Sequence, residues 1–293
     1  MQNWQIGDVQ IHRVMECEGP LLPPNVLLPQ ADDESLKPHR AWLEPHLRDP
    51  VTGLLIISFH SFVIRTPHNI ILVDTCGGND KTRPQKLRYH KKNWPYLENL
   101  SAAGLRPEEI DFVLCTHLHV DHVGWNTRLI NGRWVPTFPN AKYLFAKKEW
   151  DFWDAELKSD QFTDDPFYDD SILPVIEAGQ AVFVEGDHRI DDQVHLEPSP
   201  GHTPGHICVH IRSGQSHAVM SGDLMHHPVQ CAEPDWSSCF CVDPAASAAT
   251  RKNFLEKYSG TPSLVMPAHF PTPGAGRIIE SRTAWRFDFD GEH

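Results

Sequence analysis

Positive charge is scarce in this chain. Twenty-six lysines and arginines face 39 aspartates and glutamates, for a formal net charge of −13. That balance disfavours nucleic acid or an anionic membrane surface as a partner, since both bind through clustered cations. Long apolar runs are missing too: stretches such as LLII and FVI are far too short to cross a bilayer. The opening MQNWQIGDVQ has no basic segment followed by an apolar core, so no export signal is expected. The seven cysteines are odd in number and contain no CxxC pair. Buried free thiols in a reducing, cytoplasmic setting are therefore expected. There is no GxSxG motif, no internal repeat and no low-complexity tract. A serine nucleophile on a strand-to-helix elbow has no support.

What is present is an ordinary globular composition, 40% hydrophobic and 22% charged, in 293 residues. That length supports a substantial core. Residues 4–14 (WQIGDVQIHRV) alternate like a first strand. Residues 16–50 are rich in proline and charge, with a short helix expected around 36–47, and suit a lid or a dimerisation arm. LLIISFHSFVIRT and HNIILVDTCGG read as a hairpin whose second strand ends at Asp74. A helix is expected over 93–104, followed by the strand IDFVLC. Residues 125–180 read as an irregular, aromatic-rich insertion with one helix at 146–158. Strands resume at QAVFVEG, QVHLEPSP, HICVHIRS and HAVMSGD, then a helix at 245–258 and a last strand, SLVMPAHF. This order points to a layered α/β protein, read as one domain over 1–293.

Histidine is the abundance, with 19 residues unevenly spread. Residues 116–124 read THLHVDHVG. His117 and His119 are two apart, so in extended chain their side chains point the same way, and Asp121 continues the alternation. His122 follows as the chain turns at Gly124. Three imidazoles and a carboxylate suit zinc or a similar divalent metal. Crowded imidazoles would repel one another if protonated, so the cluster makes little sense without a cation. Downstream, PGHTPGH holds His202 and His206, four apart but separated by proline and glycine, so a regular helix is not expected there. The loop could bring just one of the two to a metal. Asp223 (VMSGDLMHH) and His269 (VMPAHF) each follow a predicted strand, and strand-end residues from distant segments can converge on one sheet edge.

Taken in order, HLHVDH, GHTPGH, SGD and PAH resemble the metallo-β-lactamase superfamily, whose fold is an αββα sandwich of two mixed sheets flanked by helices. The resemblance runs from Asp74 to His269. It implies that His117, His119 and His202 hold one ion, that Asp121, His122 and His269 hold a second, and that Asp223 bridges both. It makes His206 a support for the loop. Asp74 falls where family members have an aspartate at the end of a core strand, and the resemblance implies that it holds the ligand loop by hydrogen bonding. The residue after Asp-Thr, usually glycine, is Cys76 here, read as a small buried substitution.

Such a centre implies a bridging hydroxide that attacks a carbonyl or phosphoryl group. Asp121 and Asp223 are then catalytic as well as ligating, and Asp121 is placed to pass a proton to the leaving group. His226 stands where the quorum-signal lactonases of the superfamily have a tyrosine that orients the carbonyl, so it is a candidate substrate contact. Its neighbour His227 is read as packing. Zinc is the default metal, with manganese, iron or cobalt as alternatives. Trp150, Phe152 and Trp153 cannot all face one core from a single helix, which makes an apolar pocket wall plausible. The arm, the insertion and MPAHFPTP resemble the branch with lactonases and methyl-parathion-type hydrolases. The expected substrate is a small lactone or carboxylic ester with an apolar body. A phosphotriester is the alternative, a thioester of the glyoxalase II kind a weaker one. A homodimer fits the arm and the aromatic surface. A closed structural site would use four ligands per ion, whereas seven ligands sharing a carboxylate leave positions open for substrate.

Overall fold

Gly7, at φ +57°, turns the chain between β1 (Asn3–Ile6) and β2 (Val9–Leu22), pairing Ile6 with Val9. Such two-residue loops match the right-handed twist of strands. The single strand expected over 4–14 is therefore a hairpin, and its second strand runs on to Leu22. A computed structural model describes residues 2–159, 167–281 and 284–290. Residues 160–166 of the expected aromatic insertion lie outside the described residues. The chain divides into two compact units, one of residues 1–17 and 59–193, the other of residues 18–58 and 194–293.

The first unit is built on β3 (Leu55–Arg65) from Phe59 onward, β4 (Ile70–Val73), β5 (Phe112–Cys115), β8 (Lys142–Ala146) and β9 (Ala181–Val184), with β1 and β2 as far as Cys17. The sheet order is β1-β2-β3-β4-β5-β8-β9. β3 and β4 form the expected hairpin, pairing Arg65 with Ile70, and the Thr66 hydroxyl accepts the His68 and Asn69 N–H groups at its turn. From β4 to β9 the strands are parallel. Parallel strands are covered on both faces, which is why IILV, FVLC and YLFA are nearly unbroken apolar runs. Val113, Leu72 and Tyr143 are fully buried. Each such side chain is worth about 1.5–3 kcal/mol on burial. Helices Tyr96–Ala102 and Lys147–Leu157 make two of the crossovers, close to the expected spans.

The stretch expected to be irregular contains a further hairpin, β6 (Thr127–Ile130) and β7 (Arg133–Pro136). Its turn is Asn131-Gly132, at φ +50° and +78°. Asn-Gly between apolar residues is a strong hairpin signal, which the aromatic bias of the segment obscured.

The second unit carries β10 (Val194–Pro198), β11 (Ile207–Ser213), β12 (Ser216–Gly222), β13 (Leu264–Pro267), β14 (Gly276–Glu280) and β15 (Trp285–Phe289), hydrogen-bonded in that order. β12 and β13 are parallel and the other pairs antiparallel. SLVMPAHF is thus not the last strand: GRIIE and WRFDF follow as a closing hairpin. Helix Pro244–Tyr258 makes the β12–β13 crossover. Asp243 caps it, accepting the Ala246 N–H at 2.9 Å, with proline at the first helical position. Phe254, Leu255, Val219, Val265 and Ile278 share one apolar cluster. In the arm, the helix expected over 36–47 is present as consecutive short turns from Asp33 to Leu43, α-helical at Asp33–Leu36 and Arg40–Leu43 and 3-10 at Lys37–His39, where Pro38 removes a backbone donor, and it ends before Pro45. Two mixed sheets flanked by helices, the expected αββα class, are present. Among the described residues no helix is long and apolar enough to cross a membrane.

Candidate metal centre

β4 and β5 run in parallel with Val73 opposite Leu114, so the loops leaving their C-terminal ends start side by side. Asp74 opens the first loop at φ +58°, a conformation aspartate tolerates better than most residues. Its carboxylate organises the second loop. Oδ1 accepts the Thr116 N–H (2.7 Å), Oδ2 accepts the Thr116 O–H (2.9 Å), and Oδ2 lies 2.9 Å from His122 Nδ1.

The Thr116 hydroxyl hydrogen is used on Asp74, so Thr116 Oγ1 acts as acceptor toward His117 Nδ1 at 3.1 Å. One carboxylate thereby faces His122 directly and reaches His117 through Thr116. The His117 ring keeps its lone pair on Nε2, the arrangement a metal ligand needs. The ring centres of His117 and His119 are 4.6 Å apart, and those of His117 and His122 are 4.0 Å apart.

Backbone contacts hold the two loops together. The Thr75 N–H donates to His122 O (2.8 Å), the Gly124 N–H to Cys76 O (2.8 Å) and the Trp125 N–H to Thr75 O (2.8 Å). At Gly124 a Cβ would fall 2.0 Å from the Gly77 carbonyl group, so no other residue fits without moving the loops. Cys76 is buried at φ +49°, and burial pushes its thiol well above the ordinary range, as suits a small buried substitution rather than a reactive thiolate.

Three further side chains brace this loop, and none was singled out from the sequence. Glu16 accepts the Gly77 N–H (3.0 Å), the Gly78 N–H (2.9 Å) and the Trp125 indole N–H (2.7 Å). Burial outweighs those bonds and pushes its carboxyl up to about 7, with the charge of Asp121 adding to the rise. Glu149 accepts the Leu118 N–H (3.0 Å) and the Trp153 indole N–H (2.7 Å). Tyr89 donates its O–H to Asp121 Oδ2 at 2.9 Å. Glu16 follows a strand alternation and was findable as a buried acid, whereas Tyr89 lies in a loop with no periodic signal. Of the helix aromatics, Trp153 lies 5.4 Å from the His119 ring, while Trp150 turns toward Tyr168 and Phe183.

In the second unit the expected residues gather around Asp223, which directly follows β12. Its Oδ2 lies 3.3 Å from His202 Nε2 and 3.1 Å from His226 Nε2, and its Oδ1 lies 3.0 Å from His269 Nε2. All four side chains are buried. His202 leaves β10 on a loop held against the start of helix Pro244–Tyr258. There the Val242 N–H donates to His202 O, and Gly201, at φ +134°, leaves no room for a Cβ beside Ser247. Burial lowers the His202 imidazole to about 3 against the opposing pull of Asp223, so the ring is neutral. Its Nδ1 faces Cys241 Sγ at 3.4 Å. His269 donates Nδ1–H to Ser58 O (3.1 Å), which leaves its lone pair on Nε2.

His206 is held apart from this group. Its Nε2 accepts the Asp223 backbone N–H (3.0 Å), and its Nδ1 therefore donates to Ser199 Oγ (2.7 Å). It fixes the backbone from which Asp223 projects. His226 stacks on His269 at 5.5 Å, and its backbone N–H donates to Gln230 Oε1. His227 uses both ring nitrogens in packing: Nε2 donates to Leu47 O and Nδ1 accepts the Val229 N–H. Each unit thus carries a cluster of imidazoles and carboxylate with ring orientations fixed from behind, a donor set that suits zinc or a similar divalent ion.

A family model described as "Metallo-beta-lactamase superfamily" matches residues 60–269. Among curated relatives, an N-acyl homoserine lactonase of Bacillus thuringiensis is 27% identical over 121 residues, 41% of this chain. That match spans only 40% of the relative's length. The N-acyl homoserine lactonase AttM of Rhizobium radiobacter is 24% identical over 208 residues, 61% of this chain and 67% of the relative. Two solved structures share the fold. AidC, a dizinc quorum-quenching lactonase in complex with a product, has a TM-score of 0.80 at 21% identity, over 100% of this chain and 98% of its own. The hydrolase AbOPH of the β-lactamase superfamily has a TM-score of 0.81 at 23% identity, over 99% and 97%.

Proposed function

Because the chain belongs to the metallo-β-lactamase superfamily, we propose that it is a dinuclear metal-dependent hydrolase acting on a lactone or carboxylic ester with an apolar body. The observation that carries this reading is Asp223: one buried carboxylate offers its two oxygens to different imidazole nitrogens, at 3.3 Å for His202 and 3.0 Å for His269. A carboxylate so placed suits two cations sharing a ligand. Membership of the superfamily supports assigning His117, His119 and His202 to one ion and Asp121, His122 and His269 to a second, with Asp223 serving both. The curated relatives include N-acyl homoserine lactonases, and one neighbour in fold is a dizinc lactonase, which favours zinc and a lactone.

When bound, the ions would lower the pKa of water and polarise the substrate's oxygen. The chain's own residues do the rest. Asp74 faces His122, and Thr116 holds His117 in the ligating tautomer. His206 and Ser199 fix the backbone of Asp223. Asp121 can take up a proton on its carboxylate and return it to the leaving group. The His226 Nε2, beside Asp223, can donate to a carbonyl or phosphoryl oxygen. Asp223 and Asp121 keep the centre anionic enough to hold two cations in a buried setting.

The test is a panel of lactones, aryl esters, thioesters and phosphotriesters assayed with zinc-replete protein. Turnover should be highest on lactones or esters and should be lost in Asp223→Ala. Turnover close to that of the native protein in Asp223→Ala, or hydrolysis of nothing on the panel, would sink the proposal. A preference for phosphotriesters would keep the centre and overturn the substrate assignment.

A further inference from the structure

Residues 79–94 form a loop that closes on itself. Asn79 Oδ1 accepts the Trp94 N–H (2.7 Å) while its Nδ2 donates to Trp94 O (2.9 Å). Inside that closure the Asp80 N–H donates to Lys92 O and the Lys91 N–H to Lys81 O. Compact loops whose ends meet in this way are often functional. Two buried cations anchor it to the rest of its unit. Arg83 grips both oxygens of Asp170, at 2.6 and 2.7 Å. Lys81 Nζ donates to Thr127 Oγ1 (2.6 Å) and Asp170 O (2.8 Å) and lies 3.7 Å above the Trp134 ring. A surface connection of no consequence would not need two fully buried cations, each costly to desolvate.

What the loop delivers is Tyr89. Its ring is buried edge-on against Phe59 at 5.5 Å. It also sits so close to Gly77 that a Cβ there would meet Tyr89 Cδ1 at 2.8 Å. The glycine of the Asp74 loop thus makes room for the ring, and the phenol O–H donates to Asp121 Oδ2 at 2.9 Å.

We propose that Tyr89 is a positioning residue for Asp121: its O–H holds Oδ2 and would fix the carboxylate in the orientation that binds the second ion, and the anchored 79–94 loop serves to bring it there. This rests on the dinuclear reading above. A hydrogen bond to a ligating carboxylate fixes its rotamer and moderates its charge, as the partners of ligating imidazoles do. Tyr89 acts through Asp121 and need not touch substrate.

The experiment is a zinc titration of chelator-stripped Tyr89→Phe in competition with a chromophoric chelator, alongside the visible spectrum of the cobalt(II)-loaded protein. The variant keeps the ring and its contacts with Phe59 and Gly77. The first equivalent should bind as in the native protein. The second should weaken about tenfold or more, the usual effect of removing a ligand's partner, and its cobalt spectrum should change. Arg83→Lys, which slackens the loop and leaves the phenol in place, should weaken the same ion less and gives the comparison if the Phe variant does not fold. Two native affinities in Tyr89→Phe, or an equal loss at both ions, would overturn the proposal. If the native protein itself takes up fewer than two ions, the dinuclear reading fails. That outcome is distinct from a native protein that binds two and a variant that keeps both.

Discussion

Asp74→Asn is the substitution that separates packing from proton placement at this centre. Asparagine has nearly the size of aspartate and also tolerates the left-handed backbone at φ +58°. The Thr116 N–H, 2.7 Å from Oδ1, is a fixed donor, so the new amide must turn its oxygen there. Its NH2 then faces His122 Nδ1, where Oδ2 now sits at 2.9 Å. A donor in that place forces Nδ1 to accept and moves the ring proton to Nε2, the nitrogen that would bind metal. Loss of a charge-assisted bond costs about 1.5–3 kcal/mol of stability in the metal-free protein. The second ion should bind about 10–100-fold more weakly, equivalent to about 1.4–2.7 kcal/mol. Denaturant unfolding of stripped protein measures the first quantity, and chelator competition measures the second. The ion held by His117 should be affected less, because Thr116 still has an amide oxygen to donate to. Native affinity at both ions in Asp74→Asn would refute the tautomer argument, whatever happened to stability.

Other perturbations follow from the same contacts. Gly124→Ala places a methyl 2.0 Å from the Gly77 carbonyl group; it should cost about 1–3 kcal/mol by overpacking and lower metal uptake. A variant as stable as the native protein by urea unfolding would contradict that close approach. Asp170→Asn leaves Arg83 and Lys81 buried without their counter-charge and should cost about 3–5 kcal/mol, against a null result if the pair is dispensable. His227 is buried and neutral, its imidazole lowered by burial to about 4. A group depressed in the fold contributes stability that is complete above its ordinary value of about 6.5 and is lost as pH falls toward 4. That difference amounts to about 3 kcal/mol, so stripped His227→Gln should lose markedly less stability than the native protein between pH 7 and pH 4. Parallel pH profiles for the two would remove His227 from the account.

Much of this was legible in the residues. The parallel strands from β4 to β9 could be read because double-sided burial demands unbroken apolar runs, and FVLC ahead of THLHVDHVG located the ligand loop. Residue type and spacing pointed to a metal at residues 116–124, and the seven candidate ligands followed from the resemblance of HLHVDH, GHTPGH, SGD and PAH to the superfamily. Less was legible where tertiary partners decide. The helix expected over 36–47 starts earlier, at Asp33, tightens to a 3-10 turn at Lys37–His39 and stops at Leu43, ahead of Pro45. The β6–β7 hairpin was hidden by its aromatic surroundings although Asn131-Gly132 announces it. The closing β14–β15 hairpin follows what looked like a terminal strand. Glu16, Glu149 and Tyr89 act on the ligand loop from far along the chain, and no local period could join them to it.

The fold explains why such braces are needed. The candidate ligands stand on loops beyond strand ends, where the sheet's own hydrogen bonds no longer position the backbone. Asp74, Glu16 and Glu149 replace that ladder with side-chain acceptors for loop N–H groups. His206 does the same for Asp223 in the second unit.

The central claim is two ions per chain serving one hydrolytic reaction. Stripped protein titrated with zinc while lactone turnover is followed tests it most directly. The account predicts uptake of two equivalents, with turnover rising mainly on the second and absent in Asp223→Ala. Full turnover by the stripped protein, or saturation of turnover at one equivalent, would contradict it.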